Sequence, residues 1–144
     1  MKAAATKHLV LDASVTLAWC FPEESTAYTE AVLDRLAAGA QAVAPAIWPF
    51  EVANALLVAE RRKRITTAQV TSVLQRIAKL PIEVDPIRVD QAFEQVVAVA
   101  REQKLTEYDA AYLELAMREG LPLCTLDVQL RQAARNAGIA LVRI

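Results

Sequence analysis

Whatever chemistry this sequence performs must come from four carboxylates. Asp12 ends the apolar run in LVLDAS, Glu51 opens EVANALLVA, Asp109 opens DAAYLELAM, and Asp127 ends LPLCTLD. Two of them follow runs that read as buried strands, and two begin helices rich in small apolar residues. In an open α/β sheet, ligands bind beyond the carboxyl ends of the strands. Asp12 and Asp127 fall there. Taken one at a time, each acid has a plainer role. Asp12 and Asp127 suit helix N-caps. Glu51 complements a helix dipole after Pro49, and Asp109 closes a capping box with Thr106.

Taken together, they point to a site. Glu51 and Asn54 lie on one helical face beside Val52, Ala55 and Leu56. Asp109 borders a stripe of Ala110, Leu113 and Ala116. Polar groups beside a buried stripe are costly without partners. If the acids converge, repulsion opposes ionising them all, so either some stay protonated or a cation joins them. No lysine or arginine falls within these motifs. Oxygen donors suit a hard divalent cation, Mg²⁺ or Mn²⁺.

Other chemistries lack their parts. His8 is the sole histidine and opens the first strand, so a serine or cysteine nucleophile has no usual base. Cys20 and Cys124 are far apart without a C-x-x-C spacing, and read as buried free thiols. No glycine-rich phosphate loop of the dinucleotide or P-loop type occurs. Apolar runs fall short of a membrane span. The start, MKAAATKHLVLD, is basic, but Asp12 interrupts its apolar part too early for a secretory leader, so a cytoplasmic protein is expected. A net charge of −1 gives no whole-molecule attraction for a polyanion, which must then be held by a local patch or by metal ions.

The elements that position the acids follow from the glycines. Gly39, Gly120 and Gly138 each end a helical pattern and precede a short apolar run. That is a left-handed cap leading into a strand, and its repetition predicts α/β units on a parallel sheet. The chain, 144 residues long, suits one domain spanning 1–144. Strands are predicted at 8–11, 42–44, 82–84, 121–125 and 140–142. Helices are predicted at 25–38, 50–62, 67–79, 89–103, 107–119 and 128–137, with a short one after Asp12.

In their order, LVLDAS, PFEVANAL, LTEYDAAYLELA and LPLCTLD resemble the PIN domain, most closely the VapC-type toxin ribonucleases of toxin–antitoxin systems. The resemblance runs from Leu9 to the C-terminus, and its second and third motifs are the specific ones. It implies a three-layer α/β fold with a central parallel sheet of about five strands flanked by helices. It implies a Mg²⁺- or Mn²⁺-dependent endoribonuclease that hydrolyses RNA in line, leaving a 5′-phosphate and a 3′-hydroxyl. By motif, Asp12 and Asp109 would be the primary metal ligands. Glu51 and Asp127 would serve a second ion or the attacking water. Ser14, Asn54 and Thr125 would be supporting polar residues. The family also implies a homodimer silenced by a cognate VapB-like antitoxin, whose tail covers the acidic groove and offers it a basic residue.

The run ERRKR offers Arg61, Arg62, Lys63 and Arg64 as contacts to the RNA backbone, or merely a solvated helix end. Trp19, Phe21, Trp48 and Phe50 suit the core, or else an exposed surface for a partner. Two rival functions stand beside the nuclease. DASVT resembles the D-x-D-x-T opening of haloacid-dehalogenase-like phosphatases, but Ser14 replaces its second aspartate. The second is a PIN-like domain of weak or absent activity that serves as a module binding RNA or a partner.

Overall fold

The computed structural model describes residues 7–144. Residues 1–6, on which part of the leader expectation rests, lie outside the described residues. Leu9, Val10 and Leu11 are all buried, so β1 (Lys7–Leu11) is covered on both faces, as an interior parallel strand must be. It pairs in parallel with β2 (Gln41–Pro45) and β4 (Leu123–Cys124), and β2 pairs in parallel with β3 (Ile82–Asp85). The order is β3-β2-β1-β4. The expected fifth strand is reduced to one parallel bridge, Leu141 to Leu123, held by hydrogen bonds on either side of Leu123. The α/β fold with a parallel sheet is therefore as expected, with about five strands.

Among the described residues, seven α-helices flank the sheet: α1 (Ala13–Cys20), α2 (Ala27–Ala37), α3 (Trp48–Arg61), α4 (Thr67–Ala78), α5 (Val97–Gln103), α6 (Glu107–Glu119) and α7 (Val128–Asn136). Thr26 and Thr66 close capping boxes on α2 and α4. The predicted helix 89–103 differs. Its first part widens to a π-helical stretch, Gln91–Val96, before α5 begins. No helix among the described residues is long and apolar enough to cross a membrane.

α6 packs on β1 and β2 and buries Ala110, Tyr112, Leu113, Leu115 and Ala116. Its buried Glu114 is paired by Arg118 at 2.9 Å, and Arg118 also reaches Asp85 at the end of β3 at 2.8 Å. Gly120 ends α6 at φ 65°, and its N–H donates to the Ala116 carbonyl. That left-handed turn swings the chain from α6 into β4.

The strand order reverses beside β1, with β2 on one side and β4 on the other. The crevice beyond the carboxyl ends of β1 and β4 is thus the topological switch point where such sheets bind ligands. Asp12 follows β1 and Thr125 follows β4. Their strands are locked in register there, because the Asp12 N–H donates to the Cys124 carbonyl at 3.0 Å.

Candidate active site

Asp12 is 6% exposed, and its Oδ2 accepts two hydroxyl bonds, from Ser14 Oγ at 2.6 Å and from Thr125 Oγ1 at 2.7 Å. Both hydroxyls are themselves fixed by backbone donors. Leu126 N–H donates to Ser14 Oγ at 2.9 Å, and Asp127 N–H donates to Thr125 Oγ1 at 3.0 Å. The clamp joins the first turn of α1 to the β4–α7 turn across the crevice. Asp12 occupies the N-cap position of α1, yet its side chain does not cap that helix. The carboxylate is committed to the crevice, so capping is not its role.

The other acids come to the same place from three helices. Glu51 sits in the first turn of α3, which is anchored by Trp48 Nε1 donating to Thr16 Oγ1 of α1 at 3.0 Å. Glu51 Oε1 accepts from the Tyr112 hydroxyl at 2.7 Å. Asp109 stands in the first turn of α6, where its N–H donates to Thr106 Oγ1 at 3.1 Å. Asp127 caps α7, its Oδ1 accepting from Leu130 N–H at 2.8 Å. The plain capping roles therefore hold for Asp127 and for the Thr106 side of Asp109, and fail for Asp12.

Electrostatics tie the acids into one cluster. Burial pushes the Asp12 carboxyl above the ordinary aspartate range, and the Ser14 and Thr125 hydroxyls pull it part of the way back. Burial also raises Glu51. The Tyr112 hydroxyl opposes the rise, and the charges of Asp12 and Asp109 add to it. Asp109 is raised by burial and then by the charges of Asp127 and Asp12. Among the described residues, no lysine or arginine forms an ion pair with any of these three carboxyls. The cluster is short of positive charge, and a cation would restore the ionised forms.

Among the described residues, no group of three or more histidine, cysteine, aspartate or glutamate side chains is placed so that it could hold a metal ion. The donor set nevertheless fits Mg²⁺ or Mn²⁺. Mg²⁺ keeps several waters and is bound by one or two carboxylates plus substrate phosphate rather than by an all-protein cage. Asp12 and Asp109, buried and half-buried oxygen donors that repel each other, are such a pair.

The remaining predicted residues divide. Ser14 and Thr125 belong to the clamp. Asn54 is exposed on α3 one turn from Glu51, and the two line an open cleft of about 480 Å³ with Ile47, Phe50, Leu57 and Tyr108. Trp48 and Phe21 are core residues and Trp19 packs against the core, whereas Phe50 is 72% exposed at the rim of that cleft. Arg61, Arg62, Lys63 and Arg64 are all exposed at the far end of α3, about 15 Å along the helix axis from Glu51. Arg64 is occupied by Glu23 at 2.6 Å and lies over the Phe21 ring. His8 is exposed and its Nδ1 accepts from Gln41 N–H at 3.2 Å, an edge role. The buried thiols are as expected, burial pushing both Cys20 and Cys124 up to about 11.

Sequence reasoning missed three contacts. Tyr112 lies three residues after Asp109, a spacing that puts both on one face of α6. Thr16 and Trp48 fix α1 against α3 through a contact between residues distant in sequence. Arg131 Nη1 donates to the Thr125 carbonyl at 3.1 Å, which steadies the clamp from α7.

The family model of the PIN domain matches residues 9–136. Among solved structures, the chain is similar to a protein of Pyrobaculum aerophilum at 25% identity, covering 88% of this chain and 79% of that one with a TM-score of 0.67. It is similar to the sarcin-ricin-loop-cleaving toxin VapC20 of Mycobacterium tuberculosis at 18% identity, covering 94% and 99% with a TM-score of 0.63. It is similar to VapBC2 of Rickettsia felis, solved with a DNA fragment from their promoter, at 12% identity, covering 93% and 96% with a TM-score of 0.66. The last two likenesses are of fold alone. No curated protein matches the sequence.

Proposed function

The chain belongs to the PIN domain family, and on that premise we propose that it is a metal-dependent endoribonuclease of the VapC toxin kind. The observation that carries the reading is Asp12: a buried carboxylate at the switch point, clamped by two hydroxyls, within the field of Glu51 and Asp109. Two hydroxyls partner this carboxylate, and a cation would offset the rest of its burial cost, since no lysine or arginine among the described residues pairs with it. The VapC toxin whose fold it shares cleaves the sarcin-ricin loop, which supports a looped RNA as substrate.

In this reading Asp12 and Asp109 would hold Mg²⁺ or Mn²⁺, which when bound would supply Lewis acidity to a water and to the phosphate. Ser14 and Thr125 fix the Asp12 oxygens so that they do not rotate away. Glu51, one oxygen held by Tyr112, orients the attacking water and takes its proton. Asp127, on the far side of the clamp, completes the negative wall, and Asn54 faces the strand from α3. Water attacks phosphorus in line, the bond to the 3′-oxygen breaks, and the products carry a 5′-phosphate and a 3′-hydroxyl. Arg61, Arg62 and Lys63, which make no ion pair among the described residues, are available for phosphate contacts. The protein is cytoplasmic in this reading, pairs as a homodimer, and is neutralised by a VapB-like antitoxin that offers the cluster a cation.

Purified protein, free of antitoxin, incubated with total RNA and Mg²⁺ or Mn²⁺, is expected to give discrete fragments. EDTA and the Asp12→Asn variant should each abolish them. Undiminished cleavage by folded Asp12→Asn protein would sink the mechanism. No cleavage with either metal would leave a module that binds without turnover.

A further inference from the structure

A second cleft lies at the amino ends of β1, β2 and β4, the end of the sheet away from the acids, and at about 980 Å³ it is larger than the one beside Glu51. His8 at the start of β1 and Arg35 near the end of α2 form part of its wall. Arg131 and Arg135 of α7 and Arg143 beyond it add to the wall, and apolar residues such as Leu9, Pro122 and Ile139 form its floor. Four arginines therefore line one cleft, and no aspartate or glutamate among the described residues lines it. None of the four makes an ion pair among the described residues. Arg35 donates to the Arg143 carbonyl and Arg131 to the Thr125 carbonyl. Arg135 and Arg143 donate to nothing among the described residues.

Helix dipoles account for only part of this charge. Arg35 and Arg135 stand in the last turns of α2 and α7, where each helix end presents roughly half a negative charge. Against four full positive charges, two such ends leave an excess of about three. Guanidiniums are flat forks that match phosphate oxygens two at a time. Arg131 and Arg135 follow each other by one turn of α7, about 6 Å along its axis. Arg35 and Arg143 stand together through the bond to the Arg143 carbonyl. Groups spread in this way suit successive phosphates of a chain better than one oxyanion.

We propose that this arginine cleft is a phosphodiester-backbone site that holds RNA at a distance from the carboxylates. The proposal rests on the ribonuclease reading. A cluster of carboxylates repels its own polyanionic substrate, and the net charge of −1 gives no general attraction. The holding charge must be local and set apart from the acids. α7 joins the two places. Its first end is capped by Asp127. Arg131 touches the Thr125 carbonyl at 3.1 Å. Arg135 lies eight residues from Asp127, about 12 Å along the axis. An RNA strand lying along α7 meets arginines at one end and the acidic crevice at the other.

The test is binding, measured with a short fluorescent single-stranded RNA in EDTA on Asp12→Asn protein, so that the RNA stays whole. Arg135→Gln with Arg143→Gln should weaken binding about tenfold or more at low salt. It should also flatten the slope of log affinity against log salt by about 1.4, at roughly 0.7 per lost phosphate contact. Circular dichroism checks the fold, and single Arg135→Gln, an exposed side chain without a hydrogen bond, gives half the effect if the double variant does not fold. Arg61→Gln with Arg62→Gln should change the slope less. Unchanged affinity and slope in the cleft variants would overturn the proposal. So would inorganic phosphate displacing the RNA far better than chloride of equal ionic strength, which marks a small-oxyanion site. Tighter binding of polyglutamate than of RNA would overturn it too, in favour of an acidic protein segment. Cleft-dependent RNA binding with no cleavage by wild-type protein would instead retire the nuclease reading and keep the cleft.

Discussion

At the scale of single residues, the decisive feature is how the Asp12 carboxylate is held. Thr125 is wholly buried and does two things with one oxygen, donating to Asp12 and accepting from Asp127 N–H. Thr125→Val keeps the shape and removes both bonds. The unmet partners should cost about 1–3 kcal/mol of stability, read as a lower urea midpoint. The hydroxyl also holds the Asp12 pKa down against burial. Without it Asp12 ionises at still higher pH, so the acid limb of any activity should move upward. Thr125→Ser should restore both properties, and a valine variant as stable as wild type would show that the clamp is idle. Residue types and order singled out the four acids in the sequence, and the resemblance to the PIN domain added Ser14 and Thr125. What sequence could not supply was their sharing of duties. Asp127 is a true helix cap and Asp12 is not, although both end apolar runs in the same way. The difference arises from Thr125, remote along the chain, reaching Asp12 across the crevice beside the neighbouring Ser14. Arg64 is a similar case: its charge suggested a phosphate contact, but Glu23, Glu24 and Phe21 occupy it.

At the scale of elements, glycine placement carried most of what was legible. Gly39, Gly120 and Gly138 all take positive φ, at 111°, 65° and 73°, and each leads toward the sheet. Two elements were misjudged for physical reasons. The run 140–142 has apolar residues but forms only a bridge, because β4 itself pairs for just two residues. The helix predicted from Val89 carries the right periodicity, yet it widens over Gln91–Val96 with Phe93 exposed, which periodicity alone does not register. Left-handed caps also occur without glycine, at Lys63 and Lys104 (φ 59° and 55°), where no sequence signal marks them. This contrast gives a prediction about elements. A Cβ at Gly120 meets no atom within 4 Å, so Gly120→Ala is opposed by backbone strain alone, about 1–2 kcal/mol. Lys104→Gly relieves the same strain at the end of α5 and should be neutral or mildly stabilising. Urea denaturation of the two variants separates these signs. A stable Gly120→Ala protein would mean that the turn from α6 into β4, and with it Asp109 relative to Asp12, tolerates a different path.

At the scale of the whole molecule, a net charge of −1 conceals a separation: carboxylates gather beyond the carboxyl ends of the strands and arginines at their amino ends. Composition reports the sum and is silent about the distribution. The acidic edge makes the folded protein sensitive to pH in a defined direction. Asp12, Glu51 and Asp109 all have raised pKa values in the fold. Between their ordinary values, 3.8 for aspartate and 4.5 for glutamate, and the raised ones, the folded state binds more protons than the unfolded state. Their contribution is therefore full below the ordinary values and is lost as pH rises through the raised ones. In EDTA, Asp12→Asn removes one of these groups. It should melt close to wild type near pH 4 and above it at neutral pH. Divalent metal reverses the comparison, because it binds the ionised carboxylates of the native state. At a hundred times its dissociation constant, Mg²⁺ stabilises wild type by about 2.7 kcal/mol. For a chain of this size that is an increase in Tm on the order of 10 °C. The gain should grow from pH 5 to pH 8 and be small in Asp12→Asn. A wild-type Tm that ignores Mg²⁺ and Mn²⁺ at every pH would remove the ion from the carboxylate cluster. An equal gain in the variant would place the ion elsewhere on the protein.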